Sequence, residues 1–431
     1  MDLKTRKKYY NMCDPYRTLS LNSGEVLDID NFKIDNQLVH ARGYNWAEKI
    51  TRKISWSNQP QVIYFTGYPG SGKTTELKRM KQILENPKTG NLLAVYIDAT
   101  DYLPILESLD EIDIFSVIVY NVIQRVSEYQ DKGNAFEEGN YFDRFWTWIN
   151  ETEVTLKNVE VGKDSSKMLF EMKENPSFRN RIKTFIGDNA TRFKEEVELE
   201  LNRLNHLVKN YEKNGEKKDG IVVIFDSLEH NRGIGIQSQE VAESIQKLFS
   251  NRDTLLLPID VIYTLPPYLY TKKIQGIDFL PVVRVVKKDN SVCEEGIEVM
   301  KSLLYERIPK EDLLEIVGSD KALSELISYS GGYPRDLLKM MQDCIMVKEY
   351  PLTRDDLDDI FQRLQNEYSD NISKSEKEIL TEIYETKELN VENVEHSNLA
   401  QKLFSIHAIL RYMNGDRWFS LNPPTLRVLG L

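Results

Sequence analysis

Cysteine is scarce in this chain, with three in 431 residues, at positions 13, 293 and 344. They are far apart, odd in number and unaccompanied by any CxxC or Cys/His cluster. A disulfide framework or a cysteine-ligated zinc site is therefore not expected, and a reducing compartment is. Long apolar runs are also missing. The most apolar stretch, TLLLPIDVIYTLPPYLY, is broken by Asp260 and three prolines and is too short for a membrane span. The N-terminus, MDLKTRKKYYNMCDPY, is basic but carries no apolar segment, so it does not read as a signal peptide. A cytoplasmic protein is expected, with no membrane partner. Positive charge is in deficit, with 56 Lys and Arg against 68 Asp and Glu, a net −12. Binding to a phosphate backbone would need a local basic patch against that trend. No internal repeat or low-complexity tract is present.

What remains is a globular composition, 41% hydrophobic and 29% charged, long enough for two or three domains. After a polar N-terminal segment (1–60) with a helix expected near Ala47–Ile54, β-rich QVIYF (61–65) runs into a glycine loop. KTTELKRMKQILEN follows, with Leu77, Met80, Ile83 and Leu84 at helical spacing, and Pro87 stops it. NLLAVYID (91–98), IVVIFD (221–226), IDVIYTL (259–265) and FLPVVRVV (279–286) read as strands, the last irregular because of Pro281. Helical patterns stand between them at 113–129 and 238–250. Such alternation predicts an α/β fold with a doubly wound, mostly parallel sheet.

Residues 130–219 interrupt this pattern with charged, helical sequence and read as an insertion within a 61–290 core. In RFKEEVELELNRLNHLVKNY the apolar positions Phe193, Val197, Leu201, Leu204 and Val208 recur every three or four residues, an amphipathic helix suited to a bundle or to a partner-binding arm. NYFDRFWTWIN (140–150) concentrates aromatics, suited either to packing within the insertion or to a partner. Residues 291–365 read as helices only. In the tail, 366–431, helices precede HAILRYMNGDRWFSLNP, whose Asn414-Gly415 is a strong hairpin signal. Helices followed by a hairpin suggest a winged-helix-like module.

Gly67, Gly72, Lys73 and Thr74 fit G-x-x-x-x-G-K-[ST]. The spacing lets backbone N–H groups wrap a phosphate chain while Lys73 reaches the β- and γ-phosphates and the Thr74 hydroxyl binds Mg²⁺. Tyr68, Pro69, Gly70, Ser71 and Thr75 complete the loop that would hold ATP. Asp226, ending an apolar strand, is the expected second Mg²⁺ partner. The position after it is Ser227, so Glu229 is the nearest carboxylate able to polarise water; a helix cap or surface acid is its other reading. Thr264, near the end of the next strand, would sense γ-phosphate or simply belong to its strand. SGGYPRDLLKMMQDC (330–344) places Arg335 in a helix's first turn, where the dipole disfavours a cation. A γ-phosphate would compensate it, as would Asp336.

Together these motifs resemble the AAA+ and STAND superclass of P-loop ATPases, nearest to its origin-recognition, transposition-ATPase and NACHT-like group. The resemblance spans roughly residues 35–345 without the insertion, plus the tail. It implies a core sheet ordered 5-1-4-3-2, a helical lid over ATP and Mg²⁺, and an Arg335 sensor. VHARGYNWAEKI (39–50) is similar to the family's adenine-side "GR" box, with Arg42-Gly43 in reversed order. No arginine finger is evident: only Lys272 and Lys273 lie where one is expected, with Arg252 a substitute. These departures favour a nucleotide-gated switch over a steadily turning motor. The resemblance further implies a homo-oligomer or hetero-complex formed through the insertion or the tail, in settings that include antiphage defence. A DNA-associated ATPase of replication or transposition is the alternative. The tail from 351 holds nine Lys and Arg against fourteen Asp and Glu, which works against DNA, although Arg411 and Arg417 flank the hairpin turn. A kinase is a third option, disfavoured by the lid and tail.

Overall fold

The computed structural model describes residues 1–131, 165–187, 189–230, 237–272, 274–370, 372–373, 376–390 and 394–430. Its centre is a five-stranded sheet: β1 (Val62–Gly67), β2 (Leu93–Asp98), β3 (Ile221–Asp226), β4 (Asp260–Leu265) and β5 (Ile277–Leu280). All pairings are parallel and the order across the sheet is 5-1-4-3-2. Every residue of β1 and β3 is buried, so these strands read as continuous apolar runs, as covering both faces requires. Alternate residues serve opposite layers. Val62, Tyr64, Val223 and Phe225 pack under helices Glu111–Tyr129 and Gln237–Ser250. Ile63, Phe65, Val222 and Ile224 pack under Trp46–Ser55 and Lys73–Glu85. With a phosphate loop joining β1 to its helix, this is a mixed α/β P-loop architecture.

The fifth strand departs from expectation. It ends at Leu280, before Pro281, rather than running over 279–286. Beyond the proline the chain leaves the sheet and bonds elsewhere: Val283 N–H to Gly332 C=O at 3.1 Å and Arg284 N–H to Ala41 C=O at 2.9 Å. The described part of the 130–219 block contains helices Ser165–Glu174, Pro176–Gly187 and Ala190–Asn210. The last is not a free arm: Phe193, Val197, Leu201, Leu204 and Val208 are buried in the main core. The aromatic stretch 140–150 lies outside the described residues. An N-terminal helix, Leu3–Met12, was not foreseen. Its sequence has too little apolar periodicity to announce it, and it is held by the Asp2 cap and by Arg6, which donates to the carbonyl of Ile345.

Five helices between Glu294 and Ser369 share a second apolar core with Tyr9 and Cys13. The tail forms a third: helices Glu376–Thr386 and Val394–Ser405, then a hairpin of β6 (Ile409–Asn414) and β7 (Asp416–Leu421) turning at Gly415, then Pro423–Leu429. The Gly331-Gly332 turn locks the two units together. Both glycines have positive φ (61° and 73°). A Cβ on Gly331 would stand 2.6 Å from the Leu410 side chain, and one on Gly332 would overlap the Val283 carbonyl. Next to it, buried Asp336 accepts from Tyr368 Oη at 2.7 Å and Asn422 Nδ2 at 3.2 Å, joining the second apolar core and the tail through one carboxyl.

Two outcomes follow. Gly332→Ala combines a disfavoured φ with a backbone clash and should destabilise the fold by about 2 kcal/mol or more; an unchanged urea midpoint would refute this. Burial pushes the Asp336 carboxyl up to about 6. The folded state therefore holds a proton that the unfolded chain releases above its ordinary value of 3.8. This group's contribution is largest below pH 4 and is lost as pH rises through 6. Unfolding titrations should give a shallower pH dependence for Asp336→Asn than for the wild type in that window.

Candidate functional site

The phosphate loop is shaped by two left-handed glycines, Gly70 (φ 87°) and Gly72 (φ 94°). Gly72 is the N-cap of Lys73–Glu85 and supplies no side-chain cap. The helix's first-turn N–H groups and its positive dipole end are thus left to an anion. A Cβ at Gly67 would meet Leu280 Cβ, Leu280 O and Ser71 Oγ, each at 3.1 Å, so any side chain there would crowd the loop. Lys73 is buried; its Nζ donates to the carbonyls of Gly67 (3.0 Å) and Tyr68 (3.3 Å) and pairs with Glu229 Oε1 at 2.8 Å.

That ion pair revises the expectation for Glu229. Ser227 adopts a left-handed backbone (φ 69°), which turns the chain sharply after Asp226 and aims Glu229 back into the loop. Burial by itself would raise this carboxyl, but the Lys73 charge overrides it and holds Glu229 below the usual carboxylate range. In this arrangement Glu229 occupies Lys73, the cation meant for phosphate, rather than facing water. Thr264 also acts on this turn. Its hydroxyl, fully buried, accepts from Leu228 N–H at 3.3 Å and donates to Phe225 C=O at 3.4 Å.

Asp226 Oδ2 accepts from Thr74 Oγ1 at 2.9 Å and from the Tyr96 hydroxyl, while Oδ1 accepts from Ser227 N–H at 2.7 Å. Burial, then the nearby Glu229 charge, push the Asp226 carboxyl up. An anion in this position gains from a cation. A threonine hydroxyl and one carboxylate side by side suit Mg²⁺, which takes few protein ligands and completes its shell with phosphates and water. Among the described residues no cluster of three His, Cys, Asp or Glu offers a competing metal site. Tyr96 escaped sequence reasoning, its only signal being a phenol inside an otherwise aliphatic strand.

The turn that opens helix Pro334–Met346 meets the loop directly. Tyr333 Oη donates to the Pro69 carbonyl. A Cβ on Gly70 would stand 2.9 Å from Arg335 Cβ and collide with its guanidinium nitrogen. Arg335 is not paired with Asp336. Its Nε is buried without a hydrogen-bond partner, and its guanidinium lies 5.1 Å from the ring of exposed Tyr16. Tyr68 points the other way, fully buried among Phe279, Tyr333, Phe404 and His407. Arg42 does reach the loop helix: it is buried against Asp30 (2.9 Å) and Glu76 (2.7 Å), near Gly72.

Other expected groups are elsewhere. Arg252 stacks on Tyr64 and donates to Gln275 and Gly276 carbonyls, at the end of the sheet opposite the loop. Lys272 is bonded to Asn398, and Lys273 lies outside the described residues. Arg411 is buried, donating to the Phe279 carbonyl at 2.9 Å, and so offers no cation to DNA.

Neither a protein-family model nor a curated protein matches the chain. Among solved structures, Cdc6p from Pyrobaculum aerophilum is similar at 9% identity and a TM-score of 0.33, covering 90% of this chain and 92% of its own. Drosophila ORC bound to DNA gives 11% identity and a TM-score of 0.33, covering 99% of both chains. Overlays this loose carry no argument about function, which has to rest on the residues themselves.

Because Glu229 competes with phosphate for Lys73, Glu229→Gln should tighten nucleotide binding by about tenfold, about 1.4 kcal/mol. Titration with a fluorescent ATP analogue checks this; weaker binding would show that Glu229 supports the nucleotide instead.

Proposed function

We propose that the chain is an ATP-binding and ATP-hydrolysing conformational switch, in which the occupied phosphate loop resets the lid and tail. The observation that carries this is the double attachment of the loop: Tyr68 is buried in the tail's core while Pro69 is hydrogen-bonded to Tyr333 of the lid. Any adjustment of the loop on phosphate binding would be felt in both other units, because these two neighbouring residues are fixed there. Arg335, against Gly70 with an unpartnered Nε, is the cation that a γ-phosphate would draw in.

Binding would proceed by exchange. The phosphate oxygens replace the Glu229 carboxylate and the loop carbonyls as partners of Lys73. Thr74 and Asp226 would hold Mg²⁺, which offsets phosphate charge when bound. Arg335 trades the Tyr16 ring for an anion, and its helix, Pro334–Met346, carries Tyr333 and Asp336 with it. Through Asp336 and Asn422 that movement reaches the tail. The site resembles an assembly-controlled ATPase more than a motor, because Arg252, the arginine weighed as a finger, is tied to Tyr64 and to the Gln275 and Gly276 carbonyls. The DNA-associated alternative finds no support in the hairpin, where Arg411 is buried and Arg417 bonds Tyr270.

Hydrogen exchange with ADP, ATP and a non-hydrolysable analogue, alongside mass measurement in solution, tests the switch. ATP should alter protection of the lid turn at 331–335 and of 404–412, and Lys73→Ala should weaken binding roughly tenfold to a hundredfold and remove the change. ATP binding with no altered protection outside the loop would refute the coupling.

A further inference from the structure

A cavity of about 530 Å³ opens beside Thr74 and Tyr96. Its walls include Asp98, Thr100, Ser227 and His230, but not Glu229. We infer that Asp98 is the general base of ATP hydrolysis, the carboxylate that takes the proton of the attacking water; this rests on the nucleotide reading above.

Three independent features of the fold converge on Asp98. The first is register: β2 and β3 pair in parallel with Asp98 opposite Asp226, so two carboxylates end neighbouring strands at the phosphate edge of the sheet. Adjacent strands lie about 4.8 Å apart, and Asp226 Oδ2 is 2.9 Å from Thr74 Oγ1. Asp98 thus stands one strand beyond the group that would hold the metal. The second is division of labour. Tyr96, on the same strand, occupies Asp226, and Lys73 occupies Glu229. Asp98 is the carboxylate that lines the open space. The third is orientation: Asp98 Oδ1 accepts from Thr100 N–H at 3.0 Å and Thr100 Oγ1 at 2.7 Å, capping the short turn Ala99–Tyr102. One oxygen fixes the carboxylate while the other is left for water.

In the step so assigned, the water oxygen bonds to the γ-phosphorus and the bond from that phosphorus to the β,γ-bridging oxygen breaks. The electron pair leaves with ADP, and the water proton passes to Asp98, which releases it to solvent through the cavity. General-base catalysis of this kind contributes about 10²–10⁴-fold.

The decisive variant is Asp98→Asn. Asparagine caps a helix as well as aspartate does, so a purely structural Asp98 would survive the change. Turnover of ATP with Mg²⁺ should fall by about a hundredfold or more, and nucleotide affinity should stay within about threefold. Asp98→Ser, another competent cap, should behave alike. A rate within about threefold of wild type in either variant would overturn the assignment, as would an equal loss confined to His230→Asn. Wild-type protein that binds ATP without hydrolysing it would also overturn it while leaving the switch intact. Wild-type protein that binds no nucleotide would remove both.

Discussion

One side chain ties the molecule together. Tyr68 sits inside the phosphate loop, one residue past the glycine that ends β1, yet its ring belongs to the tail's apolar core. Fully burying an aromatic of this size against four rings stabilises the contact by a few kcal/mol. The loop therefore cannot be treated as a rigid cradle to which lid and tail are appended. Its geometry and theirs are solved jointly, and the Gly331-Gly332 turn, which only glycine permits, completes the same joint from the lid side.

Around that joint the charges are arranged in waiting. Lys73 is neutralised by Glu229, Arg335 rests on an aromatic ring, and Asp226 is held by hydroxyls. Removing one partner of a buried ion pair leaves the other charge uncompensated, so a phosphate that took Lys73 would oblige Glu229 to find a new partner as well. Under the proposed function, nucleotide binding is thus an exchange of partners rather than a simple addition.

Much of the α/β core was legible. Continuous apolar strands, the glycine spacing and the helical periodicities at 73–85 and 113–129 all follow from local patterns, because a parallel sheet covered on both faces imposes them. FLPVVRVV was misjudged beyond Leu280, since proline's effect depends on whether a neighbouring backbone offers another bond, and here Gly332 did. The helix Ala190–Asn210 showed its apolar stripe in sequence, but what covers that stripe is a long-range fact. Arg252 and Arg411 were candidates by type alone; only packing shows one at the far end of the sheet and the other beneath the hairpin.

The sequence by itself determined that a phosphate loop with Lys73 and Thr74 follows a buried strand, and that Asp226 ends another. These are covalent spacings, and backbone geometry does the rest. Tertiary structure alone decided what each acid faces. Glu229, nearest in sequence to Asp226, is turned inward by the left-handed Ser227. Asp98, 128 positions earlier in the chain, is brought beside Asp226 by strand register. Proximity along the chain sets what a residue is able to be, while proximity across the sheet sets what it faces.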